Sequence, residues 1–225
     1  MKFTRQPPPP TSYRDYHRYR SYTRRDFKCV CAHCFRHEGE AGGEEHFVQD
    51  HFKPRHLPGV DPADYLNLYW SCGACNGPQN KGSNWPSEEE AERGEGFCDP
   101  CHHDPVGTDY VENQDGTLTP LSPKGTYTNR HIRLSVRKSL VELRLHRRRT
   151  RERYKTVLYE LKQTLISWSV RLENRANREA SQACARLAEL VDAYESHVNQ
   201  EPFMCRLEPP PEIPLNLIVD LYGSG

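Results

Sequence analysis

Two C-x-x-C pairs, Cys31/Cys34 and Cys72/Cys75, bracket an interval of 37 residues and constrain this chain more than any other feature. Two thiolates three residues apart can turn back onto one ion, and two such pairs close a tetrahedral zinc site. Cys29 is an alternative first ligand, although the Cys31 spacing matches that of the second pair. A third pair, Cys98 and Cys101 followed by His102 and His103, makes a second zinc conceivable; an unmetallated loop is the favoured reading. The nine cysteines are an odd number and six of them lie in C-x-x-C pairs, which in a reducing compartment reads as metal ligation before disulfide formation. No run approaches 18 apolar residues, and Met1 to Pro10 lacks the apolar core of a secretory signal. A cytoplasmic location is therefore expected.

The 225 residues leave room for one elaborated domain or two small ones. Lys+Arg and Asp+Glu both number 31, so no net charge draws the whole chain to nucleic acid, and any such binding must come from local patches. Four sections follow from the pattern. Residues 1–26 form a basic and aromatic arm, with Tyr13, Tyr16, Tyr19 and Tyr22 interleaved with Arg14, Arg18, Arg20 and Arg24. It is either a tail that docks by its tyrosines or an arm for nucleic acid. Residues 27–125 hold the Cys/His-rich chemistry and end in an expected hairpin over Tyr110 to Leu121, turning at Asp115-Gly116. From Thr126 to Gln200 there is neither Gly nor Pro and apolar residues recur every three or four positions, predicting two or three antiparallel helices with breaks near 147–150 and 174–177. Residues 201–225 are a Pro-rich tail. The expected class is α+β: a zinc-clamped module followed by a helical hairpin or bundle.

Inside the zinc bracket lies Val48-Gln49-Asp50-His51-Phe52-Lys53-Pro54, then Asn67-Leu68, then Cys75-Asn76 with Lys81-Gly82 beyond. Phosphodiester hydrolysis needs a base to activate water and positive charge to stabilise the pentacovalent phosphate. A histidine beside a carboxylate able to hold a hard divalent ion offers both. Adjacent strand residues point to opposite sides, so Asp50 and His51 can converge only where the strand ends in a bent loop. This arrangement resembles the HNH endonucleases, whose ββα-metal motif has an Asp-His or His-His pair at a strand end, an Asn in a loop and an Asn or His on the next helix.

The resemblance implies His51 as general base, Asn67 as a brace of the loop, and Asp50 with Asn76 as ligands of a catalytic Mg²⁺ or Mn²⁺, zinc on Cys31, Cys34, Cys72 and Cys75 being structural. Four residues separate Asn76 from Lys81, where the family commonly has two. Asn80 is therefore an alternative ligand. Lys53, Arg55 and Lys81 lie close enough in sequence to clamp a substrate strand.

Trp85-Pro86, Asp99-Pro100-Cys101, Asp104-Pro105, Asp115-Gly116-Thr117 and Gly125 are similar to a group of stand-alone HNH proteins of bacterial antiphage operons, including Septu systems of the PtuB type and some retron systems. That likeness spans about residues 27–150 and implies an effector nuclease held by a larger ATPase, which would dock on the helices or the tail. Between Arg130 and Lys155 stand eleven Lys/Arg against Glu142 and Glu152. Arg137, Lys138, Arg144, Arg147 and Arg148 are the candidates for contact with a phosphate backbone. The alternative to a nuclease is a zinc-stabilised nucleic-acid-binding or adaptor module without catalysis.

Overall fold

The computed structural model describes residues 2–7, 9, 12–175 and 177–200. The Pro-rich tail, with the docking role expected for it, lies outside these residues. The elements run α1 (Arg20–Asp26), β1 (Phe47–His51), β2 (Leu68–Cys72), α2 (Gly73–Asn76), α3 (Glu88–Glu92), β3 (Tyr110–Glu112), β4 (Leu118–Pro120), α4 (Pro123–Ile132), α5 (Lys138–Glu173) and α6 (Arg178–Gln200). The fold is thus mixed α and β, with two small sheets and a C-terminal helix pair. No helix among the described residues is long and apolar enough to cross a membrane. The chain divides into two units, one reaching Leu145 and the other starting at His146.

In the first unit β1 and β2 pair antiparallel, with Phe47 opposite Cys72 and His51 opposite Leu68. All five β2 residues are buried, which requires cover on both faces. Tyr69, Trp70 and Cys72 pack into the main core with Phe27, Phe35, Phe97, Tyr127, Ile132 and Leu134. Leu68, at the start of the strand, joins a second cluster with Tyr19 and Tyr65, flanked by Tyr13, Tyr16 and Tyr22. The N-terminal section is therefore part of the fold. Phe3 is buried and its N–H donates to the Pro100 carbonyl at 2.7 Å. Arg5 donates to the carbonyls of Tyr65 and Leu68, each at 2.6 Å, and lies over the Tyr65 ring. The guanidinium of Arg20 sits 4.6 Å over Trp70. The aromatic and basic alternation supplies rings to stack and cations to cover them.

The expected hairpin is present as β3 and β4, with Val111 opposite Thr119, and Gly116 takes the left-handed conformation in its turn at φ +80°. The acidic stretch before it forms α3, started by Ser87, whose side chain accepts from the Glu90 N–H. α4 ends at Arg133, a left-handed residue at φ +59° whose N–H bonds the Asn129 carbonyl. The chain then turns through fully buried Leu134 before α5 begins. The helical span accordingly breaks at 133–137 and at 174–177, and the break expected near 147–150 does not occur. Arg147, Arg148 and Arg149 are good helix formers, and nothing there stops α5.

In the second unit Leu158 and Leu165 of α5 meet Leu187, Ala188 and Val191 of α6. Lys162 pairs with Asp192 across the same two helices.

Candidate metal centre and candidate active site

The turn after α1 leads Cys31 and Cys34 under the end of β2, where Cys72 closes the strand and Cys75 lies in α2. The four Sγ atoms lie within 4.8 Å of one another and all four residues are buried. Cys34 and Cys72 Sγ are 3.8 Å apart, which is the edge of a tetrahedron with metal–sulfur bonds of about 2.3 Å. The donor set and its dimensions suit a structural zinc. The assignment of Cys31 over Cys29 follows, Cys29 standing outside the cluster. The thiols act on one another: Cys72 is pulled well down by hydrogen bonds from Cys31, Cys34 and Cys75, while Cys34 and Cys75 are pushed up, first by Cys31. A cation that deprotonates all four is what such a crowded set accommodates.

Among the described residues this is the only cluster of three or more Cys, His, Asp or Glu able to hold a metal. Cys98 and Cys101 do not add a second. Cys98 Sγ donates to the Tyr110 hydroxyl at 3.3 Å, and burial pushes its thiol up to about 12. The Cys101 thiol is likewise pushed up, to about 11, chiefly by burial.

β1 ends at the residues the sequence singled out. His51 is half-buried, and its Nε2 lies 2.9 Å from the Pro62 carbonyl oxygen. A carbonyl can only accept, so Nε2 carries a proton, and in the neutral ring Nδ1 is then the acceptor. The Tyr16 ring meets the imidazole edge to face at 4.8 Å. Asn67 braces the loop as expected: its Oδ1 accepts the Lys53 N–H and its Nδ2 donates to the Lys53 carbonyl, both at 2.8 Å. Lys53 and Arg55 are exposed on that loop. A cleft of about 760 Å³ opens beside it, with Phe52, Lys53, Asn67, Tyr65, Tyr69 and His102 among its walls.

Asp50 is placed differently from the expectation of an open metal ligand. It is 2% exposed; its Oδ2 takes a hydrogen bond from His33 Nε2 at 2.7 Å and its Oδ1 an ion pair from Lys81 Nζ at 2.8 Å. Lys81, expected to clamp substrate, is fully buried; besides Asp50 it donates to the His51 carbonyl at 2.8 Å and sits over the Phe97 ring. Asn76, at the end of α2, is half-buried and makes no side-chain hydrogen bond among the described residues. Asn80 Nδ2 donates to the Ala74 carbonyl, while its Oδ1 is buried without a partner. Asp50 could reach a divalent ion only through lone pairs beyond those two contacts. Asp50, expected as a metal ligand together with Asn76, thus has each of its oxygens engaged by another side chain.

The basic run is also redistributed. Arg144 is buried and donates to the carbonyls of Gly116 and Leu134, Arg147 is buried, and Arg137 turns to Cys75. These three do not form an exposed phosphate track; Lys138 is exposed and Arg148 half-buried. Arg130 is occupied with Glu90 and Glu95. Sequence density counts residues and not faces, which is why the run looked one-signed. Sequence reasoning missed His33, the Pro62 carbonyl and Tyr16. Only the place of His33 between two zinc ligands could have pointed to it. In comparisons with known family models, curated proteins and solved structures, nothing matches this chain.

Proposed function

We propose that the chain is an HNH-type endonuclease that hydrolyses DNA phosphodiester bonds with His51 as general base. The observation that carries this reading is the hydrogen bond from His51 Nε2 to the Pro62 carbonyl, which leaves Nδ1 as a proton acceptor on a half-buried ring at a strand end. The antiparallel β1 and β2, the loop braced by Asn67 and the short α2 behind the four cysteines support it, in the order that a ββα-metal module has.

A water held against Nδ1 gives up its proton as its oxygen attacks phosphorus. The bond to the 3′ oxygen breaks and that oxygen takes a proton from solvent, leaving a 5′ phosphate and a 3′ hydroxyl, while the imidazolium returns its own proton to solvent. The Pro62 carbonyl steadies the imidazolium by accepting from Nε2, and Lys81 holds the His51 backbone through its carbonyl. Lys53 and Arg55, exposed on the loop after His51, would be the groups that meet phosphates of the bound strand. Mg²⁺ or Mn²⁺ would supply positive charge for the pentacovalent phosphate. Asp50, through lone pairs beyond its contacts with His33 and Lys81, and Asn76 would be the residues to hold that ion. The effector role in antiphage defence and the ATPase partner rest on the sequence resemblance.

The same commitment of Asp50 favours the second reading, a zinc-stabilised nucleic-acid-binding or adaptor module. Conversion of supercoiled plasmid to nicked and linear forms by wild type and His51→Ala, with EDTA, Mg²⁺ or Mn²⁺, separates the two. Metal-dependent cleavage by wild type alone is the expected result. DNA binding by both proteins, with no cleavage by either, would put the adaptor in its place.

A further inference from the structure

We infer that Arg137 belongs to the metal centre, as the cation that offsets the charge of a zinc tetrathiolate and ties the turn between α4 and α5 to it. Its Nη1 donates to Cys75 Sγ at 3.2 Å across a sequence separation of 62 residues. The inference rests on the reading of the four cysteines as a zinc site.

The electrostatics demand such a group. Zn²⁺ with four thiolates carries a net charge of two minus, and here the thiolates lie between 0% and 3% exposed, in one core with Trp70, Phe35, Ile132 and Leu134. An uncompensated charge in apolar surroundings is costly, and a hydrogen-bonded counter-ion lowers that cost. A guanidinium suits the role because it stays protonated and directs several N–H groups from one plane. Arg137 is half-buried, so its charge is partly shielded from water and acts on sulfur at close range.

The position is held from behind. Left-handed Arg133 ends α4, Ile132 and Leu134 are fully buried on either side of it, and Arg137 Nη1 also reaches the Ile132 carbonyl at 3.4 Å. Arg144, in the second turn of α5, bonds the Leu134 carbonyl at 2.6 Å. The guanidinium thus arrives at Cys75 on a fixed turn. A residue that the sequence offered to nucleic acid is here engaged with sulfur.

The test uses the full-length protein loaded with zinc and compares wild type with Arg137→Met, Arg137→Gln and Arg137→Lys. Zinc affinity is read by competition with a chromogenic chelator, and thiolate coordination by the sulfur-to-metal charge-transfer bands of the Co²⁺-substituted protein. Partners that orient metal ligands typically contribute about 10- to 100-fold in affinity, so Arg137→Met is expected to bind zinc weaker by that factor. Arg137→Lys, which keeps the charge, is expected to recover most of the loss. Arg137→Gln keeps a donor without the charge; it is expected to bind as weakly as Arg137→Met, and it stands in should Arg137→Met fail to fold. Affinity in the neutral variants within about twofold of wild type, or no recovery in Arg137→Lys, overturns the role of the charge. Wild type that holds no zinc and shows no thiolate–Co²⁺ bands removes the metal reading itself, an outcome distinct from unchanged affinity in the variants.

Discussion

His33 Nε2 and Asp50 Oδ2 lie 2.7 Å apart in the buried core, joining the Cys31–Cys34 segment to the strand end that carries His51. Lys81, a few residues beyond the second knuckle, holds the other oxygen of the same carboxylate. Side chains from the first cysteine pair and from the segment after the second therefore converge on Asp50. Replacing Lys81 by Met leaves that carboxylate half-paired in a site 2% exposed, and such a change costs about 3–5 kcal/mol. Urea unfolding of the zinc-loaded protein should show this loss. Asp50→Asn in the Lys81→Met background should recover part of it, since no buried charge then remains. Additive losses would mean that the two groups do not act as a pair.

Asn67 and Lys53 make two reciprocal hydrogen bonds at 2.8 Å, so Asn67→Ala removes both from the loop that follows His51. Stability should fall by about 1–2 kcal/mol, because these bonds are only partly shielded from water. Under the proposed function the larger effect is on rate: a base displaced by about 1 Å can lose roughly 100-fold. Asn67→Asp keeps the acceptor for the Lys53 N–H and should fall between the two. Plasmid nicking at saturating DNA, read beside the unfolding curve, distinguishes a misplaced base from an unfolded protein.

One zinc per chain is expected by native mass spectrometry. Burial holds the Cys98 and Cys101 thiols protonated, so neither is prepared to ligate, and Cys98→Ala with Cys101→Ala should leave the count unchanged. Cys31→Ala should abolish it. A second equivalent of zinc lost on mutation of Cys98 would overturn this assignment.

Gly125, in the first turn of α4, lies so close to the hairpin section that a Cβ there would clash with the Asp109 carbonyl oxygen. The neighbour is backbone, which cannot swing aside. Gly125→Ala should therefore destabilise by about 3 kcal/mol, even though alanine is the better helix former. A thermal scan showing an unchanged or raised midpoint would mean that α4 can slide away from Asp109.

The metal centre was legible because ligand spacing is a local property: Cys31, Cys34, Cys72 and Cys75 announce themselves without knowledge of the fold. Asn67 and the hairpin at Asp115-Gly116 were legible for the same reason, each being set by a few neighbouring residues. What the sequence concealed was orientation. Lys81 and Asp50 both read as surface chemistry until the strand and the second knuckle turn them inward onto each other. Arg137 and Arg144 read as a basic track until the turn at Arg133, which no Gly or Pro marks, sends one to sulfur and the other to backbone carbonyls. The tyrosines and arginines of the first 26 residues fit stacking on bases as well as stacking on Tyr65 and Trp70, and composition cannot choose between them.

His131 sets a pH dependence whose sign can be worked out. Its ring packs tilted against Tyr127 at 4.3 Å and meets Phe97 edge to face at 5.8 Å. Burial, and then the charge of Arg130, hold the imidazole below its ordinary value of 6.5, while Glu90 and Glu95 pull weakly the other way. Between the folded and unfolded values the unfolded chain binds a proton that the fold does not. The stabilisation from neutral His131 is therefore complete above about 6.5 and is lost as the pH falls towards the lowered folded value. Urea midpoints measured from pH 7.5 to pH 5 should drop more steeply for wild type than for His131→Phe, which keeps the ring contacts and removes the titration. Because the comparison is between slopes, protonation of the cysteines and the carboxylates affects both proteins alike. Parallel slopes would mean that the His131 ring takes up its proton without disturbing Phe97 and Tyr127.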